Sequence, residues 1–143
     1  MPMSKRINES FLNAFALLDK RCCEIFGLPN GGVTEYINRL NNARFAPRRD
    51  EVLPRLVKYR NLRNKMVHEP LAVRKSADIT KADIKWVKRF ERDVFRKKDP
   101  IAVYLKKARA LARRRRIQRY AIITAVAVAA VGITVLILVT CIK

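Results

Sequence analysis

The eleven residues RNLRNKMVHEP, from Arg60 to Pro70, hold the one histidine of the chain and surround it with basic side chains. Apolar residues recur at helical spacing before this stretch, and a proline biases the residue before it away from helical dihedral angles. The stretch therefore predicts the carboxyl end of a helix, with His68 in its last turn. Histidine is the side chain best suited to general acid–base chemistry near neutral pH, so His68 is the first candidate for such a role.

Helical geometry gives this stretch two sides. At about 100° per residue, Asn64 and His68 lie about 40° apart around the axis, whereas Arg63 and His68 lie about 140° apart. Asn64 can therefore touch His68 within one chain. Arg63 is poorly placed to contact a ligand that is bound at its own His68. A simpler interpretation also exists, in which His68 caps a helix at the edge of the core among solvated basic residues.

The rest of the soluble part is predicted to be helical as well. Apolar residues at steps of three and four form amphipathic stripes, and no alternating pattern typical of a strand appears before residue 120. The predicted helices begin near Ile7, after the Asn30-Gly31-Gly32 turn, at Asp50, after a Thr80-x-x-Asp83 capping box, and at Asp99-Pro100. The fourth of these starts rests on a capping box in which Asp replaces the usual Glu or Gln.

Cysteine usage excludes a disulfide framework and a zinc site. Cys22 and Cys23 are adjacent and point in different directions on a helix, and Cys141 lies in an apolar segment. The first two are therefore expected to be small packing residues, and no metal or other cofactor is expected. The soluble part is predicted to be cytosolic and reduced.

Residues Ala121 to Ile142 form 22 consecutive uncharged positions. As a helix they would cover about 33 Å, enough to cross a hydrocarbon core of about 30 Å. The residues expected to anchor this segment at the membrane precede it, and they are Arg113, Arg114, Arg115, Arg116, Arg119 and Tyr120. The arginine excess predicts a single-pass protein with its amino-terminal domain in the cytoplasm and a short carboxyl terminus on the opposite side.

The charge balance points to polyanionic partners. The chain has 32 Lys and Arg against 12 Asp and Glu, a formal net charge of +20. RNA phosphates, anionic lipid headgroups or both would be attracted to such a chain. The arginine run itself could contact nucleic acid or lipid, and its position beside the apolar segment favours lipid. The predicted organisation is a helical domain over residues 1–112, a basic juxtamembrane segment over 113–120 and a transmembrane helix over 121–142.

The pattern Arg63-Asn64-x-x-x-His68 resembles the RNxxxH signature of the HEPN superfamily, whose members are all-helical domains and in many cases metal-independent endoribonucleases. The resemblance spans about residues 5–112, and its specific evidence lies in those three residues. It implies an all-α fold, a HEPN-like bundle of four to five helices, here followed by the transmembrane helix.

The resemblance also implies roles for particular residues. His68 would act as acid or base on the attacking 2′-hydroxyl or the leaving 5′-oxygen, Arg63 would stabilise the charged phosphorane, and Asn64 would orient His68 or a phosphate. Arg60 and Lys65 would bind the RNA beside them.

The expected partners follow from the same resemblance. They are an RNA substrate, a second copy of the chain in a homodimer, and an unidentified antitoxin or regulator. Some HEPN toxins carry a modifiable tyrosine two positions after the histidine, where this chain has Pro70. A seam of small residues in the apolar segment, Ala121, Ala125, Ala129 and Gly132, would allow two membrane helices to approach closely.

Three classes of function fit the sequence. The first is a membrane-anchored endoribonuclease that acts in stress or antiviral defence. The second is a HEPN-like module that binds RNA or protein at the membrane without catalysis. The third is a small basic protein that acts on the bilayer itself, in which the spacing from Arg63 to His68 is accidental.

Overall fold

A computed structural model of the chain describes residues 3–68 and 79–141. Over these residues the protein is helical and contains no strand, which confirms the all-α prediction. The helices are α1 (Met3–Phe26), α2 (Gly32–Asn42), α3 (Arg49–His68), α4 (Lys81–Phe95) and α5 (Pro100–Cys141). The expected connecting segment 71–78, the helix-ending Pro70 and the last apolar residue, Ile142, lie outside the described residues.

The chain divides into two compact units, Met1–Tyr104 and Leu105–Lys143. In the first unit, α1 to α4 bury one apolar face each around a common core. Its most enclosed large side chains are Phe11, Leu18, Tyr36, Leu40 and Leu56. The buried face of α1 ends near Cys23, because Ile25 is 52% exposed although it continues the helical apolar spacing.

A glycine contact sets the distance between α1 and α2. Gly31 adopts a left-handed conformation with φ 70° just before α2, where a residue with a Cβ would be strained. A Cβ added to Gly32 would overlap the backbone oxygen of Asp19 and the backbone nitrogen of Cys23. The two helices can therefore approach this closely only because residue 32 is glycine.

A buried hydrogen bond joins α2 to the start of α5. The hydroxyl of Tyr36 donates to Asp99 Oδ2 at 2.8 Å, and the same carboxylate oxygen accepts the backbone N–H of Ala102 at 3.2 Å. Burial and the neighbouring Asp99 carboxylate raise the pKa of Tyr36 far above its usual value. Asp99 is 5% exposed, so it is both the predicted amino-terminal cap of α5 and a polar link within the core.

The start of α4 is held by the predicted capping box. The backbone N–H of Asp83 donates to Thr80 Oγ1, and the backbone N–H of Thr80 donates to Asp83 Oδ2. Tyr59 of α3 also donates its hydroxyl to Asp83 Oδ1 at 2.7 Å. Burial works against ionisation of this carboxyl, but the hydrogen bonds from Thr80 and Tyr59 outweigh it and lower the pKa of Asp83. One side chain thus caps α4 and ties it to α3.

The predicted fifth helix, the basic segment and the described part of the apolar segment all lie on α5. It is continuous from Pro100 to Cys141. The reason lies in composition, because no proline or glycine interrupts residues 101–131, and Ala, Leu, Lys and Arg in this stretch are strong helix formers. Of the apolar stripe predicted for its first turns, Ile101 is buried, whereas Leu105 and Leu111 are exposed.

In the second unit, residues 105–135, 137, 138, 140 and 141 are all exposed. Its large apolar side chains are open, and Val128, for example, is 73% exposed. Among the described residues, one helix is long and apolar enough to cross a membrane, judged by length and composition, and the residues of its apolar 18-residue stretch are exposed.

Candidate functional site

The last three turns of α3 present the predicted site residues. Leu62 and Met66 point into the core and hold this end of the helix in place. Arg63, Asn64 and His68 are all exposed, and His68 is the last residue of α3. The described part of α3 therefore runs to His68, with the three residues open to solvent.

The two arginines before the histidine contact only asparagines within the described part of the chain. Arg63 Nη1 donates to Asn64 Oδ1 at 3.2 Å, and Arg60 Nη2 donates to Asn61 Oδ1 at 3.3 Å. Neither arginine forms an ion pair with a carboxylate of residues 3–68 or 79–141. Both guanidinium groups therefore keep donors for an anion such as a phosphate.

A groove of ≈ 700 Å³ lies between α1, the α1–α2 turn and α3. Helix α3 contributes Arg60, Arg63, Asn64 and Val67 to its lining. The remaining lining residues come from α1, the α1–α2 turn and the start of α2, and they are Leu12, Asn13, Phe15, Ala16, Asp19, Lys20, Cys23, Pro29, Asn30, Gly31, Val33 and Thr34. The lining of the groove therefore combines polar and apolar residues.

The groove carries three positive charges, from Lys20, Arg60 and Arg63, and one negative charge, from Asp19. Asp19 Oδ1 accepts the backbone N–H of Val33 at 2.8 Å, which satisfies one of the free N–H groups at the start of α2. The groove as a whole is net positive and suits an anionic ligand.

His68 does not line this groove, although it lies only about 40° around the helix from Asn64. On its other side, about 60° away, is Lys65, which lines a smaller groove of ≈ 300 Å³ together with Lys58, Asn61 and Leu62. The predicted RNA-binding residues are thus separated, with Arg60 in the large groove and Lys65 in the small one. His68 occupies the ridge between them.

Sequence reasoning missed the part of the large groove that α1 and α2 provide. Asn13, Asp19, Lys20 and Thr34 stood out in no motif, because their positions gain meaning only when α1 packs beside α3. A weak signal was present in the Asn30-Gly31-Gly32 turn, since two successive glycines often mark a close approach of the backbone.

The cysteines of the compact unit have the packing role that was expected. Cys22 is 1% exposed and Cys23 is 9% exposed, and both are free. Burial raises the pKa of the Cys22 thiol to about 12, so it is protonated and unreactive at neutral pH. A search of residues 3–68 and 79–141 finds no group of three or more His, Cys, Asp or Glu side chains that could hold a metal ion.

The predicted membrane-anchoring residues lie on α5 within the second unit. They are Arg113, Arg114, Arg115, Arg116, Arg119 and Tyr120, and all are exposed. Tyr120, which is 63% exposed, is the last of them before the apolar stretch.

Comparison with known proteins gives one match. The sequence model of a family described as a family of unknown function (DUF6548) matches residues 9–123. This range includes the groove, the ridge with His68 and the arginine run. No curated protein matches the chain, and no solved structure matches it either.

Proposed function

The chain belongs to DUF6548, a family of unknown function, and we propose from its own residues that it is a membrane-anchored, metal-independent endoribonuclease of the HEPN type. Arg63, Asn64 and His68 form its catalytic set. Stress or antiviral defence is the setting in which such an activity would serve a cell.

One observation carries the proposal: an exposed histidine ends α3, and the two arginines before it have no carboxylate partner among the described residues. Surface arginines in helices commonly pair with Asp or Glu, and α2 has such a pair in Arg39 and Glu35. Arg60 and Arg63 instead face a net positive groove, where an RNA phosphate is a fitting partner.

The proposed reaction is an internal transesterification. A base removes the proton of the 2′-hydroxyl, the 2′-oxygen forms a bond to phosphorus, and the bond from phosphorus to the 5′-oxygen breaks. The leaving 5′-oxygen takes up a proton, so the products are a 2′,3′-cyclic phosphate and a 5′-hydroxyl. His68 supplies the acid or the base, and Arg63 stabilises the charged phosphorane, an effect commonly worth about 3–4 kcal/mol per donor.

The cleavage test uses the full chain in detergent micelles with total RNA and a chelator. His68→Ala and Arg63→Ala should each lower the rate by a factor of 100 or more, since acid–base catalysis typically contributes about 10² to 10⁴. Arg92→Ala is the matched control, because Arg92 is exposed on α4 and lies outside both grooves.

Equal rates for the wild-type chain and His68→Ala would remove His68 from the reaction. If the wild-type chain binds RNA at low salt and does not cut it, the non-catalytic RNA-binding module replaces the nuclease. If it does not bind RNA even at low salt, where phosphate contacts are strongest, the bilayer-active protein becomes the better proposal.

The active form in this proposal is a homodimer. Arg63 and His68 lie about 140° apart on α3, so a phosphate held by Arg63 of one protomer is more easily reached by His68 of another. Tethering to one membrane would also raise the rate of encounter between two copies.

The dimer test mixes His68→Ala chains with Arg63→Ala chains. Recovery of cleavage would mean that one intact site is rebuilt across the interface. Two inactive variants that stay inactive when mixed, in a protein that migrates as a monomer, would contradict the dimer.

We further propose that α5 crosses the membrane once, with the catalytic domain in the cytoplasm. The arginine run before the apolar stretch favours this orientation and would also contact anionic headgroups.

Cysteine labelling tests the orientation, because Cys22 and Cys23 are buried and Cys141 is exposed. An impermeant maleimide added outside intact cells should label the chain, and Cys141→Ser should abolish the label. Labelling that requires lysis would reverse the orientation.

A further inference from the structure

We propose that the large groove between α1, the α1–α2 turn and α3 is a nucleotide subsite, which binds one unpaired nucleotide of the RNA strand next to the phosphate that is cut. This inference rests on the proposed ribonuclease function, and it names a feature of the substrate that the catalytic residues alone do not.

The size and lining of the groove suit a nucleotide. Its volume of ≈ 700 Å³ falls within the range of about 300–1,000 Å³ that is usual for small-molecule sites. Phe15 and Val33 are 4% and 1% exposed and pack in the core behind the groove. The apolar surface that is open to the face of a base comes from Ala16 and Val67, which are exposed, and from Leu12, which is half-buried. Ala16 on α1 leaves space because its side chain is a single methyl group.

The polar groups of the groove separate into two kinds. Cationic groups come from Lys20, Arg60 and Arg63, which fit the phosphate of the ligand. Neutral donors and acceptors come from Asn13 and Thr34, which are exposed on the first two helices and fit the edge of a base.

Asp19 adds a specific acceptor to this set. Its Oδ1 atom accepts the backbone N–H of Val33, and its Oδ2 atom has only a long contact with Cys23 Sγ, at 3.9 Å, within the described part of the chain. Oδ2 can therefore accept a hydrogen bond from an amino group of a base. Adenine, guanine and cytosine carry such a group. Uracil offers only its N3–H, which lies between two carbonyl oxygens that repel a carboxylate, so the groove should disfavour uracil.

The position of the groove links it to the proposed chemistry. Asn64 lines the groove and lies about 40° around α3 from His68, which stands on the adjoining ridge. A strand whose base enters the groove would hold its adjoining phosphate at Arg63, where His68 of the second copy reaches it in the proposed dimer. Base pairing would block this path, because a paired base cannot leave its stack, and the expected substrate is single-stranded RNA.

The first experiment measures binding without cleavage. Calorimetric titration of the full chain in detergent compares adenosine, cytidine, guanosine and uridine 5′-monophosphates with ribose 5-phosphate. We expect the first three to bind at least tenfold more tightly than ribose 5-phosphate, and uridine monophosphate to bind more weakly than those three. Equal affinity for all five compounds would overturn the inference.

Two variants place the ligand in this groove. Ala16→Trp should fill it and reduce the affinity for adenosine monophosphate to that for ribose 5-phosphate. Ala82→Trp, the same change at an exposed alanine of α4 outside the groove, should leave the affinity unchanged. Thr34→Val removes one hydroxyl at the rim without adding bulk and should weaken binding severalfold. A base-dependent affinity that survives both groove variants would show that the nucleotide binds elsewhere.

The second experiment separates this inference from the nuclease itself. A single-stranded RNA with one abasic position beside the cleavage site should be cut at least tenfold more slowly than the intact strand, and Ala16→Trp should make the two rates equal. Equal rates with the wild-type chain would overturn the subsite and leave the nuclease standing. If the chain binds monophosphates in a base-dependent way but cuts no RNA, the nucleotide subsite is supported and the nuclease is contradicted.

Discussion

The two compact units differ in how far their apolar side chains are buried. Both are rich in apolar side chains, but in Met1–Tyr104 many of these side chains are buried against one another. In residues 105–141, with Leu136 and Val139 left aside, every apolar side chain is exposed. Leu18 is 0% exposed and Leu138 is 61% exposed, although both are leucines in long helices. An apolar surface that finds no partner within its own chain must find one outside it, in lipid or in another protein.

The largest effect on stability is expected from the first of two matched leucine substitutions. Leu18→Ala should lower the free energy of unfolding of the first unit by about 2–5 kcal/mol, because it leaves a cavity in the core. Leu138→Ala should leave this free energy unchanged. Denaturant titration in detergent can follow the fluorescence of Trp86, whose ring stacks on Phe90 with centroids 5.1 Å apart. Similar losses for both variants would mean that the second unit contributes to the same core.

An arginine placed in the apolar stretch tests directly whether the second unit is inserted in the membrane. Val128→Arg should raise the free energy of membrane insertion by about 2.5–3.5 kcal/mol, because an arginine would then lie near the centre of the apolar stretch. The measurement is the fraction of chain that resists alkaline carbonate extraction of membranes. Ile117→Arg, on the basic side of Tyr120, is the control and should remain in the membrane. If Val128→Arg is retained equally well, α5 is held there by something other than lipid.

A smaller effect is expected at the buried link between Tyr36 and Asp99. Tyr36→Phe should destabilise the first unit by about 1–3 kcal/mol, because it removes the donor to a buried carboxylate. The pKa of Tyr36 is higher in the folded state than its usual value of 10.0, so the folded protein keeps a proton that the unfolded chain loses above that pH.

The stability that Tyr36 contributes is therefore fully present below pH 10 and declines as the pH rises further, by about 1.4 kcal/mol per pH unit. Denaturant titrations at several alkaline pH values should show a shallower decline for Tyr36→Phe than for the wild-type chain. Identical slopes would show that this phenol ionises in the folded state as it does in the unfolded chain.

The smallest effect belongs to the capping box of α4. Thr80→Ala should lower the free energy of unfolding by about 1 kcal/mol, as loss of an amino-terminal cap commonly does. The pKa of Asp83 is lowered in the folded state, so its contribution is present at neutral pH and is lost as the pH falls through that lowered pKa. Asp83→Asn should reduce this acid sensitivity, which denaturant titrations between pH 5 and pH 2 would detect. Lys81→Ala, an exposed change in the same turn, is the control for both variants.

Much of the helical architecture followed from local signals. Glycine and proline punctuation, the Thr80–Asp83 capping box and Asp99-Pro100 located the helix ends, because caps and breakers act within a few residues of the chain. The apolar stretch after Tyr120 likewise needed no tertiary information, since a long run of uncharged residues cannot be covered by so small a domain. The helical position of His68 in α3 followed from the same kind of reasoning.

What the tertiary structure decided is how helices far apart in sequence meet. The contact of Gly32 with the backbone of α1, the bond from Tyr36 to Asp99 and the groove that joins Lys20 to Arg63 depend on packing between separate helices. Periodicity gives each helix an inward face but leaves open which helix it will face and how closely. The catalytic candidates were therefore readable from a six-residue pattern, whereas the groove beside them exists only because α1, α2 and α3 pack together.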